Sequence, residues 1–75
     1  MKQINAEMAG TVIAILVEEG EILRAQQDVV IMESMKMEIP MITPSAGIVR
    51  QVCVEAGQFV NEGDPLVFYE TESKE

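Results

Sequence analysis

Ala9-Gly10-Thr11-Val12-Ile13-Ala14-Ile15-Leu16-Val17-Glu18-Glu19-Gly20 returns 37 positions later as Ala46-Gly47-Ile48-Val49-Arg50-Gln51-Val52-Cys53-Val54-Glu55-Ala56-Gly57. The register holds without a gap as far as Glu33, which meets Glu70, and eight of the 25 positions from 9 to 33 are identical. Many of the rest exchange one apolar residue for another, as Ile15 with Val52, Ile22 with Phe59, Leu23 with Val60 and Val29 with Leu66. Self-similarity at a fixed offset is an architectural signal. Two copies are too few for a solenoid, so the repeat predicts a closed pair related by a pseudo-twofold axis. Its halves are about 1–36 and 38–73, within a single domain spanning 1–75.

Each copy reads as β structure. Gly10-Thr11-Val12-Ile13-Ala14-Ile15 is rich in branched residues and starts at a glycine, which favours a strand. Glu18-Glu19-Gly20-Glu21 is a polar turn in which Gly20 can adopt positive φ. A short apolar step, Ile22-Leu23, precedes the polar loop Arg24 to Asp28 and the strand Val29-Val30-Ile31-Met32. The second copy repeats this plan with Phe59-Val60, the loop Asn61 to Pro65, and Leu66-Val67-Phe68-Tyr69. The same offset pairs Lys2 to Ala6 with Ile39 to Thr43, so both are expected as strands. Pro40 has no N–H to donate, which places its strand at an edge or turns that position outward. The best helical candidate, Glu18 to Val30, has Gly20 near its start and no clean apolar stripe. The expected fold is therefore all-β.

Composition excludes several functions. The formal charge of −8, from five basic and thirteen acidic residues, is wrong for nucleic acid or an anionic membrane surface. No apolar run approaches the length of a membrane span, and Met1 to Asn5 offers no signal peptide. With no histidine and a single cysteine, no metal site or internal disulfide is expected. Cys53, in the apolar stretch Val52-Cys53-Val54, reads as a small packing residue. A lone thiol fits a reducing compartment, and the expected location is the cytoplasm. No nucleophile–base pair or phosphate loop is present, so no catalytic residue is assigned.

Between the copies lies Glu33-Ser34-Met35-Lys36-Met37-Glu38. In an extended segment Met35 and Met37 share one face and Lys36 takes the other. With the methionines anchored, the lysine faces solvent. Local chemistry alone is served equally well by an ordinary solvated lysine, with the methionines as core filler. Turn rules do not mark a hairpin here, because Ser34 to Glu38 contains no Gly, Asn or Asp. Extended to its limit, the offset sets Lys36 opposite Ser73, so a twofold would put Lys36 at one end of the molecule and both termini at the other.

Here a resemblance enters. Glu33-Ser34-Met35-Lys36-Met37-Glu38 resembles the Ala-Met-Lys-Met motif of biotin carboxyl carrier domains, within the wider biotinyl/lipoyl attachment family. Ser34 stands where alanine is usual. Met8-Ala9-Gly10, Val17 to Gly20, Pro44 to Val49 and Val54 to Leu66 are similar to the family's other landmarks. The resemblance implies a flattened barrel of two four-stranded antiparallel sheets, with the modified lysine on an exposed hairpin tip. It also implies covalent biotin on Lys36, attached by a biotin protein ligase, with Glu33, Ser34, Met35, Met37 and Glu38 as the recognition surface. The chain would then be a carrier serving biotin carboxylase and carboxyltransferase subunits, and its acidic balance favours a monomer. No insertion like the protruding thumb of some bacterial carriers is evident between Val17 and Val30. Two rivals stand beside this. Lipoate on the same lysine is one, although lipoyl domains usually place Asp before the lysine and Ala after it. A non-carrier interaction module on the same fold is the other.

Overall fold

The computed structural model of the chain describes residues 1–71. Eight strands account for its regular structure: β1 Lys2–Asn5, β2 Gly10–Ile15, β3 Ile22–Leu23, β4 Asp28–Ser34, β5 Met37–Ile42, β6 Gly47–Val52, β7 Phe59–Val60 and β8 Pro65–Glu70. They form two four-stranded antiparallel sheets, ordered β1-β8-β6-β3 and β5-β4-β2-β7. Advancing every strand by four maps one order onto the other. Each sheet takes two strands from each copy of the repeat, so the copies interlock rather than sit side by side.

The offset also describes the interior. Every buried residue has a buried counterpart 37 positions away: Ile4 with Met41, Ala6 with Thr43, Val12 with Val49, Val17 with Val54, Leu23 with Val60, Val29 with Leu66, Val30 with Val67 and Met32 with Tyr69. One apolar core therefore lies between the sheets, built almost wholly of aliphatic side chains. Gly10 and Gly47 are equivalent too. A Cβ on Gly10 would lie 2.5 Å from the Glu33 carbonyl oxygen, and one on Gly47 would strike the Glu70 carbonyl oxygen. The repeated glycine thus permits close backbone approach between neighbouring strands.

Main-chain hydrogen bonds stitch the copies together in matched pairs. Gly20 N–H donates to the Val49 carbonyl (2.8 Å), and Gly57 N–H to that of Val12 (2.7 Å). Gln26 N–H donates to Thr43 (2.8 Å), and Gly63 N–H to Ala6 (2.8 Å).

Pro40 occupies the edge strand β5 and is exposed, as its missing donor requires. The molecule is elongated, 41 × 18 × 17 Å. At the end of the β4–β5 hairpin remote from Lys36, Ser45 Oγ and Tyr69 Oη share a hydrogen bond of 2.9 Å, and Tyr69 pairs with Lys2. The start of the chain therefore lies away from Lys36, as the offset predicts. Ser73, the expected counterpart of Lys36, lies outside the described residues.

Candidate functional site

Lys36 owes its position to the register of β4 against β5. Val30 lies opposite Met41 and Met32 opposite Ile39, so the buried side chains of both strands fix the ladder. That register ends with Ser34 opposite Met37, leaving only Met35 and Lys36 to turn the chain. Both adopt positive φ, 55° at Met35 and 66° at Lys36, the pattern of the two-residue hairpin turn that usually demands Asn-Gly. For residues with a Cβ the left-handed conformation costs about 1–2 kcal/mol each.

Two expectations change here. The segment is not extended through Met35 and Lys36, and the methionines are not anchored. Met35 is 91% exposed and Met37 63% exposed. Met37 continues the inward-facing row of β5 but projects past the last core layer. Lys36 is exposed because it is a turn residue, not because flanking methionines are buried. The hairpin that turn rules miss is imposed by strand packing.

Glu33 and Glu38, both exposed, face each other directly across β4 and β5. Like charges in that position are destabilising. Ser34 is half-buried at the base of the turn. All six residues singled out from the sequence are therefore brought together at one end of the molecule. Sequence reasoning passed over Phe59, which is 61% exposed on β7. β7 pairs with β2, and together with Ala9, Gly10, Thr11 and residues 33–36 Phe59 lines a depression of about 460 Å³ beside the tip. The available signal was alternation: in the two-residue step Phe59-Val60 one side chain faces the core, and Val60 does.

The pseudo-twofold is broken in charge. At the opposite end Arg50 holds Glu70 with Nε and Nη2 on one carboxylate oxygen, at 3.0 and 2.9 Å. Glu33, the counterpart of Glu70, has Ile13 in the place of Arg50 and no ion pair among the described residues. Burial pushes the Cys53 thiol above its ordinary value of 9.0, in keeping with a packing role. No cluster of metal-ligating side chains occurs among the described residues, and no helix among them is long and apolar enough to cross a membrane.

An exposed lysine thus stands on a left-handed two-residue turn at the end of a doubled sheet. Comparison with known proteins gives the family. The biotin/lipoyl family model, described as "Biotin-requiring enzyme", matches residues 2–68. A biotin/lipoyl attachment protein of Bacillus subtilis is 44% identical over 64 residues, which cover 85% of this chain and 88% of that one. A biotin carboxyl carrier protein of Streptococcus mutans is 40% identical over 62 residues, covering 83% of this chain but 48% of that one. Among solved structures, a single-chain, multi-domain long-chain acyl-CoA carboxylase superposes with a TM-score of 0.89 at 33% identity. The match covers 97% of this chain and 7% of the carboxylase. The chain belongs to the biotinyl/lipoyl attachment family, and within it is a carrier domain, not a catalytic one. It spans nearly the whole of the short relative, about half of the carrier protein and a small part of the carboxylase.

Proposed function

We propose that Lys36 is the point of covalent biotin attachment and that the domain carries carboxyl groups between the biotin carboxylase and carboxyltransferase sites of a carboxylase. The observation that carries this reading is Lys36 at the summit of a left-handed two-residue turn, between two exposed methionines, in a chain of this family. The donor set fits an amide-linked group. The amine is exposed, and the small residues Ala9 and Gly10 line the depression beside it.

Activation of the biotin carboxyl group falls to a biotin protein ligase. Lys36 Nζ would give up two of its three protons to solvent and the ligase, keep the third as the amide N–H, and bond to the acyl carbon of adenylated biotin as the acyl–phosphate bond breaks and AMP departs. The formal charge then passes from −8 to −9. Met35 and Met37 supply flexible apolar contact to the ligase, with Glu33, Ser34 and Glu38 around them. Bound biotin supplies a nitrogen that accepts and releases a carboxyl group. The chain's part is to hold that nitrogen within reach of successive active sites, at an effective concentration of about millimolar. We place the carrier in the cytoplasm as a monomer, in line with its lone unpaired thiol and acidic surface.

Intact mass after co-expression with a biotin ligase tests the assignment. One biotinyl increment is expected on the native chain and none on Lys36→Ala. The melting temperature of that variant should stay almost unchanged, since an exposed turn side chain changes stability by no more than about 0.5 kcal/mol. A lipoyl increment in its place would overturn the cofactor, and a biotinyl increment on Lys36→Ala would overturn the site.

A further inference from the structure

The depression beside the tip is more than the gap between a hairpin and its neighbours. Ala9, Gly10 and Thr11 of the β2 end line it, and the missing side chain at Gly10 lets that strand approach the Glu33 carbonyl closely. One rim is the ring of Phe59 on the edge strand β7, and the other is formed by Glu33 to Lys36. The molecule's other end is furnished differently. There Glu70 is committed to Arg50, and Tyr69 stands over the equivalent glycine, with a ring carbon 2.8 Å from the place of a Gly47 Cβ. At the lysine end Met32 takes the place of Tyr69, its methyl carbon 3.3 Å from the place of a Gly10 Cβ, and Glu33 has no ion pair among the described residues.

We propose that this groove is a resting site for the acyl group carried by Lys36, an aliphatic arm ending in a bicyclic ureido ring. The inference rests on the attachment reading given above. Phe59 offers a flat apolar face to the sulfur-containing ring. The Glu33 carboxylate and the Thr11 hydroxyl can accept hydrogen bonds from ureido N–H groups. Reach is adequate. Lys36 itself lines the groove, and β7 lies two strands from β4, about 10 Å at ordinary strand spacing, within the span of the joined methylene chains of lysine and biotin. The resting state competes with capture by a partner site, so the groove sets the fraction of carrier whose ring is free in solvent.

Ile22 provides the control. It is the repeat counterpart of Phe59, similarly exposed at 68%, and pairs with β6 in the other sheet. Material is first verified as fully biotinylated by intact mass, and backbone amide chemical shifts are then compared with those of the unmodified protein. The amides of Ala9, Gly10, Thr11 and Phe59 should move on modification, as well as those of residues 35–37. Phe59→Ser should abolish the remote shifts and speed capture of the biotin by avidin roughly fivefold, whereas Ile22→Ser should change neither. Shifts confined to residues 34–37, or equal behaviour of the two variants, would overturn the resting site while leaving attachment intact. A mass spectrum without an adduct would overturn the attachment reading, and the resting site with it.

Discussion

Met35 and Lys36 hold a conformation that their side chains disfavour. Strain of this kind survives only where the surroundings enforce it, and it gathers at functional positions. The opposed pair Glu33 and Glu38 adds local repulsion, so the tip is less stable than its backbone requires. Met35→Gly should therefore raise stability in urea by about 0.5–1 kcal/mol, the relief of left-handed strain less the entropic cost of glycine. For a domain of this size that is a rise of several degrees in melting temperature. The same variant should be biotinylated more slowly, because the ligase loses an apolar contact. A variant no more stable than the native chain would show that the turn is unstrained. Cys53 is the contrasting residue, shaped by packing alone. Its thiol ionises later in the folded protein than in the unfolded chain, since burial raises it from 9.0. The stability it contributes is whole below the unfolded value and is lost as pH climbs through the folded one. Equilibrium unfolding across that alkaline range should show a decline that Cys53→Ala lessens.

Four turns of one design link the short strands. In each, the residue at position i accepts a hydrogen bond at its carbonyl from the N–H of i+3, while its own N–H donates to the i+3 side chain. The pairs are Glu18 with Glu21, Arg24 with Gln27, Glu55 with Gln58 and Asn61 with Asp64. The third residue has positive φ every time: Gly20 at 89°, Gln26 at 70°, Gly57 at 92° and Gly63 at 92°. Three of these are glycine, and Gln26 is the exception. Gln26→Gly should stabilise the protein by about 0.5–1 kcal/mol, for it installs at one turn what its repeat counterpart already has. Chemical denaturation would reveal this as a raised midpoint with an unchanged slope. The recurring polar residues at these turns were legible in the sequence as loops. The capping of one turn residue by the side chain three along was not, because it depends on where the chain doubles back.

Across the whole molecule, the decisive feature is that each sheet draws strands from both copies. The central pair β4 and β2 comes from the first copy, and its flanking strands β5 and β7 from the second; the other sheet reverses this. Separate peptides 1–37 and 38–75 should each lack β-sheet circular dichroism, since neither encloses a core. Sheet signal from either peptide alone, in a concentration-independent monomer, would contradict the interlocked arrangement. The charge asymmetry belongs to this scale as well. The repeat makes the two ends alike in backbone, while Arg50, Tyr69 and Ser45 furnish one end and Ile13, Met32 and Met8 the other.

By itself the sequence determined the doubled all-β plan, the apolar positions of each strand and the singular lysine between the copies. These follow from local composition and from a fixed offset, both of which survive in one dimension. Three features emerge from packing alone: Met35 and Lys36 form the whole turn, both methionines are bare, and Phe59 shares a groove with Lys36. The register of β4 on β5 is set by side chains that meet in the core, and that pairing spends every residue except two. A turn whose residues oppose its own geometry carries no local signature, and a strand brought beside the tip by sheet order has none in the chain.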